Sequence, residues 1–133
     1  MTIEFTVSAL LPATSMEIYH AWLSSDGHSA MTGSPATVAS NVGGEFDAWD
    51  GYIHGKTLEL LPGKHIVQLW RTTEFSPDEP DSRIEITLVE EGDQTRLTLR
   101  HTGLPPHGKQ YEEGWVESYF EPMKEYFLSK KQL

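Results

Sequence analysis

The residues of this 133-residue sequence that are best suited to metal or acid–base chemistry are its six histidines. They form no HExxH or HxH motif and no close pair on one helix face, so their spacing predicts no metal site. The sequence contains no cysteine, which excludes disulfides, thiolate metal sites and a cysteine nucleophile. It also lacks GxSxG, Walker and GxGxxG motifs, and we predict no cofactor. The histidines are His20, His28, His54, His65, His101 and His107.

One histidine, His101, is predicted to face the protein interior. It follows Leu97 and Leu99 at a period of two, so the three side chains share one face of a strand. One interpretation places His101 at the rim of a pocket as a general acid or base, and the other is a hydrogen-bonded structural histidine. An enzyme that used His101 or His54 as its base would need further polar groups inside the pocket.

The C-terminal part of the chain carries an aromatic stripe. Apolar residues recur at steps of three and four over residues 109–130, which predicts one long amphipathic helix. The stripe can be ordinary core packing, one wall of a hydrophobic pocket, or both. Pro122 lies inside this helix and removes a backbone donor, so we expect a kink there. The stripe consists of Trp115, Val116, Tyr119, Phe120, Met123, Tyr126 and Phe127.

A ligand cavity is predicted where this helix faces the sheet. On the strand predicted for residues 64–75, Ile66, Gln68 and Trp70 share one face, which places a polar amide among apolar side chains. Gln68 and His101 are the predicted orienting groups. The predicted lining is Phe46, Gln68, Trp70, His101, Trp115, Tyr119 and Met123.

Glutamates recur every fourth residue on the opposite face of the same helix, at Glu113, Glu117, Glu121 and Glu125. Like charges at this spacing repel by about 0.2 to 0.5 kcal/mol per adjacent pair. This acidic stripe is either a solvated face or a docking surface for a basic partner. The formal net charge is −10, with 20 acidic residues against 10 lysines and arginines, so nucleic acid is not an expected partner.

The elements that position these residues follow from periodicity and turn signals. Residues 2–11 alternate as a strand, and a capping box at Thr14 begins a helix over residues 15–23. Residues 24–44 are predicted to be a loop with one helical turn around residues 28–31. Five further strands and the C-terminal helix complete an α+β domain: a six-stranded curved antiparallel sheet around a long helix, with one or two short helices after the first strand. The five strands are predicted at residues 45–49, 52–61, 64–75, 83–90 and 94–102.

Length and composition limit the protein class. A chain of 133 residues is long enough for one domain, and 38% of its residues are hydrophobic, as in globular proteins. No run of about 18 apolar residues is present, so no membrane span is predicted. The N-terminus has neither a basic region nor an apolar run that leads to a cleavage site, and we expect a cytoplasmic protein.

Short motifs occur in a fixed order over most of the chain. They are Gly43-Gly44-x-Phe46, Gly51-x-Ile53-x-Gly55, Leu61-Pro62, Ile66-Val67-x-x-Trp70-Arg71, Thr95-x-Leu97-x-Leu99, Gly114-Trp115 followed by Tyr119, and the later Phe127. Their order and spacing resemble the C-terminal domain of the activator of heat-shock protein 90 ATPase and its bacterial homologues. The resemblance extends from about Ser8 to Phe127.

The resemblance implies the helix-grip fold of the START-like, or Bet v 1-like, superfamily (SRPBCC). Relatives in this superfamily bind hydrophobic small molecules in the cavity between helix and sheet, and some are cyclases or other enzymes. Our first hypothesis is a noncatalytic module that binds a small hydrophobic or aromatic molecule. The alternatives are a co-chaperone-like interaction with a heat-shock protein 90-type chaperone through the acidic surface, or a cyclase-like enzyme.

Overall fold

A seven-stranded antiparallel sheet forms the body of the protein in a computed structural model that describes residues 2–131. Its strand order is β1-β7-β6-β5-β4-β3-β2, so every strand pairs with its neighbour in sequence except β1, which closes onto β7. The strands are β1 (Ile3–Leu11), β2 (Thr37–Val38), β3 (Glu45–Ala48), β4 (Ile53–Leu61), β5 (His65–Thr72), β6 (Ser82–Glu91) and β7 (Gln94–Leu104). The helices are α1 (Ser15–Trp22), α2 (Ser25–Thr32), α3 (Gln110–Trp115) and α4 (Glu121–Lys131).

The predicted α+β architecture is confirmed, with one more strand than the six expected. The additional strand, β2, has two residues and pairs with Asp47 and Phe46 of β3. Two residues are too few to show a period of two, which is why the sequence pattern does not reveal this strand. Register shifts between Ile3 and Phe5 and between Thr57 and Glu59 bend the sheet at two places, as β-bulges do.

The first helix begins as the sequence predicts. Thr14 Oγ1 accepts from the Glu17 backbone N–H at 3.2 Å, and Glu17 Oε1 accepts from the Thr14 backbone N–H at 2.9 Å. This reciprocal pair satisfies two backbone donors that the first turn leaves without helical partners. The predicted capping box is therefore confirmed.

The prediction of a loop over residues 24–44 with a single helical turn is wrong for its first part, because α2 has eight residues. Ser24 caps it by accepting from the Gly27 N–H at 3.1 Å, and Gly33 ends it in the left-handed conformation. The helix lacks a clean apolar period because one of its buried residues, His28, is polar. Caps and burial therefore stabilise α2 where the hydrophobic pattern is weak.

The C-terminal helix contains a π-helical turn just before Pro122. A 3₁₀ turn (Pro106–Lys109) leads into α3, the π turn covers Val116–Phe120, and α4 follows. In the π turn the Glu121 N–H bonds to the Val116 carbonyl, five residues earlier. Widening the helix here gives space to the proline ring, which would otherwise press on the carbonyl four residues before it. A π turn thus lies just before Pro122, the residue at which the sequence predicts a kink.

Candidate ligand cavity

An open cavity of about 420 Å³ lies between the C-terminal helix and the sheet. Ligand cavities in proteins span roughly 300 to 1,000 Å³, so this one has the size of a small-molecule site. Helix α3 and the π turn form one wall, and β4, β5 and the turn between β3 and β4 form the other. The lining residues are Trp49, Tyr52, Ile53, Trp70, Gln110, Tyr111, Gly114, Trp115, Ser118 and Tyr119.

Aromatic rings in contact with one another make up most of the wall. Trp70 lies 4.9 Å from Tyr111 and 5.5 Å from Trp115, measured between ring centroids. Trp115 lies 4.8 Å from Tyr119, one helical turn along. Rings at these separations hold each other in place, because aromatic pairs favour edge-to-face and offset geometries at 4.5 to 7 Å. The rings of the wall therefore support one another's positions.

Trp49 belongs to the lining because of an unusual backbone conformation. Its φ angle is 55°, in the left-handed region, and Asp50 follows with 56°. Bulky residues seldom adopt this region, because the conformation costs about 1 to 3 kcal/mol. Surrounding contacts must offset this cost. The Trp49 ring packs edge-on to Tyr119 at 6.4 Å, so the strained turn and the helix contact each other across the cavity.

A carboxylate is bound to two tyrosines of the lining. Tyr52 and Tyr111 both donate a hydroxyl hydrogen bond to Glu74 Oε2, the second of these at 3.4 Å. Thr72 Oγ1 lies 2.7 Å from the Tyr111 hydroxyl and accepts from the Glu74 N–H at 3.1 Å. Burial, and secondarily the bond to Glu74, raises the pKa of Tyr52, and burial also raises the pKa of Tyr111. Both phenols therefore stay protonated at neutral pH.

His101 lies behind the aromatic wall in a closed hydrogen-bond network. Ser82 Oγ donates to the Trp70 carbonyl at 2.6 Å, and it therefore accepts from His101 Nε2, 2.8 Å away. The Trp115 indole N–H donates to His101 Nδ1 at 3.0 Å, so this ring is the neutral tautomer with its proton on Nε2. Burial lowers the pKa of His101 to about 3.

A second buried chain of hydrogen bonds links the helix to the sheet through α1 and α2. His28 Nδ1 donates to the Trp22 carbonyl at 2.9 Å, and the Tyr119 hydroxyl donates to His28 Nε2 at 2.8 Å. The Trp22 indole N–H donates to Gln68 Oε1 at 3.1 Å, and Gln68 Nε2 donates to Thr57 Oγ1 at 3.1 Å. Burial lowers the pKa of His28 and raises that of Tyr119. Both side chains are therefore uncharged at neutral pH.

The seven residues predicted to line the cavity fall into two groups. Those that line it are Trp70, Trp115 and Tyr119. Those that are buried in the surrounding core, outside the lining, are Phe46, Gln68, His101 and Met123. Gln68 and His101, predicted as orienting groups, are bonded to protein partners on both of their polar atoms. The structure therefore gives both of them positions in the core.

Three aromatic lining residues, Trp49, Tyr52 and Tyr111, are missing from the sequence prediction. Tyr111 could have been found, because it precedes Trp115 by four residues and Tyr119 by eight and so continues the same helix face. Trp49 and Tyr52 flank a turn, where a period of two no longer indicates the direction of a side chain. No sequence signal identifies their direction.

The predicted acidic stripe is exposed along its whole length. Glu113, Glu117 and Glu121 line a shallow groove of about 620 Å³, and Glu125 lies beyond it. Val7 of β1 and Val116 contribute the apolar part of this groove. The groove thus combines negative charge with a small apolar surface.

Residues 2–131 contain neither a cluster of metal-ligating side chains nor a helix that could span a membrane. No three His, Asp or Glu side chains in this part of the chain come together as a metal site would require. None of the helices in the same range has the length and hydropathy needed to cross a bilayer.

Comparisons with known proteins show the family of this chain. The family described as "Activator of Hsp90 ATPase homolog 1-like protein" matches residues 12–128. The human activator of 90 kDa heat shock protein ATPase homolog 1 is 30% identical over 127 residues, which cover 95% of this chain but 37% of the relative. The chain therefore spans little more than a third of the length of that protein.

Solved structures share the fold at lower sequence identity. An HSP90 activator from Plasmodium falciparum superposes with a TM-score of 0.81 at 19% identity, covering 90% of this chain and 91% of the other. CalU16 from Micromonospora echinospora gives a TM-score of 0.78 at 20% identity, covering 97% and 78%. The chain thus has the helix-grip, Bet v 1-like fold, and it belongs to the Activator of Hsp90 ATPase homolog 1-like family.

Proposed function

We propose that this protein binds a small hydrophobic or aromatic molecule in the cavity between α3, the π turn and the sheet, without catalysing a reaction on it. The observation that carries the proposal is an open space of about 420 Å³ with aromatic side chains at six of its ten lining positions. Apolar and aromatic walls with few polar groups are typical of small-molecule sites. Binding of an apolar ligand to such walls is favourable, because it removes apolar surface of both the ligand and the protein from water.

The noncatalytic part of the proposal rests on the two histidines that sequence reasoning offered as bases. Both nitrogens of His101 are bonded within the protein, and its side chain is 0% exposed. His54 is exposed on β4, next to Ile53, and successive residues of a strand point to opposite faces of the sheet. Neither imidazole is therefore available to a molecule in the cavity.

Blocking the cavity at Gly114 tests the proposal. A Cβ at this position would meet no atom within 4 Å, and Gly114 is one of the lining residues. We expect Gly114→Leu to fold normally, because leucine favours helix over glycine by roughly 0.5 to 1 kcal/mol. The binding of a neutral fluorescent probe, N-phenyl-1-naphthylamine, should weaken at least about tenfold, the equivalent of losing roughly 1.4 kcal/mol of contact.

The control is Ser129→Leu, which adds the same side chain to an exposed position of α4. Fluorescence titration of the three proteins gives the dissociation constants, and thermal unfolding verifies that all are folded. A wild-type protein that does not bind the probe, or a Gly114→Leu variant that binds it as tightly as Ser129→Leu does, would refute the proposal.

A second candidate function is binding to a heat-shock protein 90-type chaperone through the acidic groove. The family's name and that of the human relative refer to activation of such a chaperone's ATPase. The groove, with Glu113, Glu117 and Glu121 beside Val7 and Val116, supports this candidate because a basic surface with an apolar centre would complement it. Binding of the chaperone through this groove would not involve the aromatic cavity.

Charge reversal at the groove distinguishes this candidate from the first. We expect Glu117→Lys with Glu121→Lys to weaken binding to the chaperone by about threefold to tenfold at low salt, since complementary charges chiefly accelerate association. Reversal of Glu45 and Glu59, two exposed glutamates of β3 and β4, is the matched control. Equal losses in both variants, or no binding by the wild-type protein in light-scattering or calorimetric titrations, would exclude a groove-specific contact.

A further inference from the structure

We infer that the ligand of the aromatic cavity is a cation: an organic ammonium group, attached to an apolar or aromatic body, that sits against the ring faces near the Glu74 carboxylate. This inference rests on the proposed function and specifies the chemical class of its ligand. Three features support the inference: the faces of the aromatic rings, the hydrogen-bond donors of the lining side chains, and the distribution of charge around the cavity.

The ring faces supply the attraction. Three tryptophans and three tyrosines line the cavity: Trp49, Tyr52, Trp70, Tyr111, Trp115 and Tyr119. The face of an aromatic ring is negative, and a cation within about 6 Å of a ring centroid is attracted to it, most strongly by tryptophan. A cavity with several such faces can surround an alkylated ammonium group without hydrogen bonds. Cages of this composition recognise quaternary ammonium groups in other proteins.

Four of the hydrogen-bond donors on the lining side chains are bonded within the protein. The Trp115 indole N–H bonds to His101 Nδ1, and the Tyr119 hydroxyl bonds to His28 Nε2. The Tyr52 and Tyr111 hydroxyls bond to Glu74. An anionic ligand would need donors of this kind to replace its water shell, whereas an alkylated ammonium group does not. These four groups therefore contribute aromatic surface to the cavity without a free donor for an anion.

The fixed charge near the cavity is negative. Among the lining residues there is no lysine, arginine or histidine, and the carboxylate of Glu74 is held by two tyrosines of the lining. The two imidazoles behind the wall each accept a hydrogen bond on one nitrogen, so they carry no positive charge. Near the end of β5, Arg71 is paired with Asp81 at 2.9 Å, which offsets its charge.

Another basic side chain near this site is also offset. His107 packs edge-on to Tyr111 at 6.4 Å between ring centroids, and its Nε2 lies 3.0 Å from Glu79 Oε1. At the edge of the cavity a positively charged ligand would thus meet the exposed carboxylate of Glu74, whose side-chain partners are two neutral tyrosine hydroxyls. The formal net charge of the whole chain, −10, acts in the same direction by attracting cations.

The test compares two molecules of equal shape and different charge. The cation is (4-hydroxyphenyl)trimethylammonium, and its neutral isostere is 4-tert-butylphenol, in which carbon replaces the quaternary nitrogen. We expect the cation to bind about tenfold more tightly to the wild-type protein in calorimetric titrations at low salt. Glu74→Gln should reduce this preference, expressed as the ratio of the two dissociation constants, by about threefold or more.

Glu59→Gln is the matched control, since it removes one exposed negative charge from β4. Glu59→Gln should leave the ratio of the two dissociation constants at its wild-type value. A neutral isostere that binds as tightly as the cation, or equal effects of the two glutamine variants, overturns the inference. Absence of cation binding overturns it as well, and the N-phenyl-1-naphthylamine titration then decides separately whether the proposed cavity function fails too.

Discussion

Lowering the pH from 6.5 towards 3 is expected to remove roughly 5 kcal/mol of the free energy of unfolding through His101 alone. Burial lowers the pKa of this imidazole to about 3 in the folded protein, against 6.5 in the unfolded chain. Between these two values the unfolded chain binds a proton that the folded protein does not, so stability decreases as the pH falls. Above pH 6.5 both states are neutral at this site, and the contribution is fully present.

His28 acts in the same direction, because burial also lowers its pKa. Protonation of either ring would break a hydrogen bond that one of its nitrogens accepts. A proton on His101 Nδ1 would confront the Trp115 N–H, and a proton on His28 Nε2 would require the Tyr119 hydroxyl to turn away. Acid should therefore loosen the contact between the C-terminal helix and the layers beneath it.

The measurement is urea unfolding at pH 7, 6, 5 and 4 for the wild-type protein and His101→Gln. The glutamine side chain has an NH2 donor group and a carbonyl acceptor, and it does not titrate. The free energy of unfolding of this variant should therefore depend less steeply on pH, by up to about 1.4 kcal/mol per pH unit. Exposed acids such as Asp78 titrate in both proteins, so their contributions to the pH slope cancel. Parallel stability curves, or an NMR titration that gives His101 a pKa near 6.5 in the folded wild-type protein, would contradict the prediction.

Substitution of Gly55 by alanine is the second change with a large expected effect. A Cβ at this position of β4 would lie 1.8 Å from the carbonyl oxygen of Leu69 in β5 and 2.8 Å from Cζ of Phe46 in β3. A side-chain movement cannot relieve the first clash, because the oxygen belongs to the backbone of the neighbouring strand. We expect the free energy of unfolding to fall by about 3 kcal/mol, the upper part of the range for overpacked cores.

Gly114→Ala is the matched control, because it adds the same methyl group where no atom lies within 4 Å. It should stabilise α3 by roughly 0.5 to 1 kcal/mol, so the two alanine substitutions should have opposite signs. Urea unfolding of both variants at pH 7 gives the two free energies. A loss below about 1 kcal/mol in Gly55→Ala, or equal effects in both variants, would show that the strands separate easily at this position.

Local patterns predict most of the fold from the sequence. The alternation in β1 and the capping box at Thr14 both concern residues close together in the chain, and both predictions are confirmed. The sequence pattern underestimates the eight-residue α2 because its buried polar residues include His28, whose partners are Trp22 and Tyr119, the latter 91 residues away. Contacts of that separation leave no periodic signal.

The candidate site was predictable only in part for a related reason. The helix period identifies which side of α3 faces the sheet, and so it predicts Trp115 and Tyr119 as lining residues, in agreement with the cavity's position. Periodicity does not reveal whether a buried polar side chain points into the cavity or forms hydrogen bonds with other buried residues. Gln68 and His101 do the latter, since partners from other elements satisfy them. Partner identity depends on tertiary geometry rather than on spacing.

The central claim, that the aromatic cavity binds a small molecule, is tested most directly by the indole N–H signals of the four tryptophans. Three of these residues, Trp49, Trp70 and Trp115, line the cavity, and Trp22 lies outside it, stacked on Trp115 at 6.2 Å. In a ¹H–¹⁵N titration with N-phenyl-1-naphthylamine, we predict that the three lining signals shift most in the wild-type protein and that the shifts are lost in Gly114→Leu. Unchanged signals in the wild-type protein, or identical shifts in both proteins, would contradict the claim.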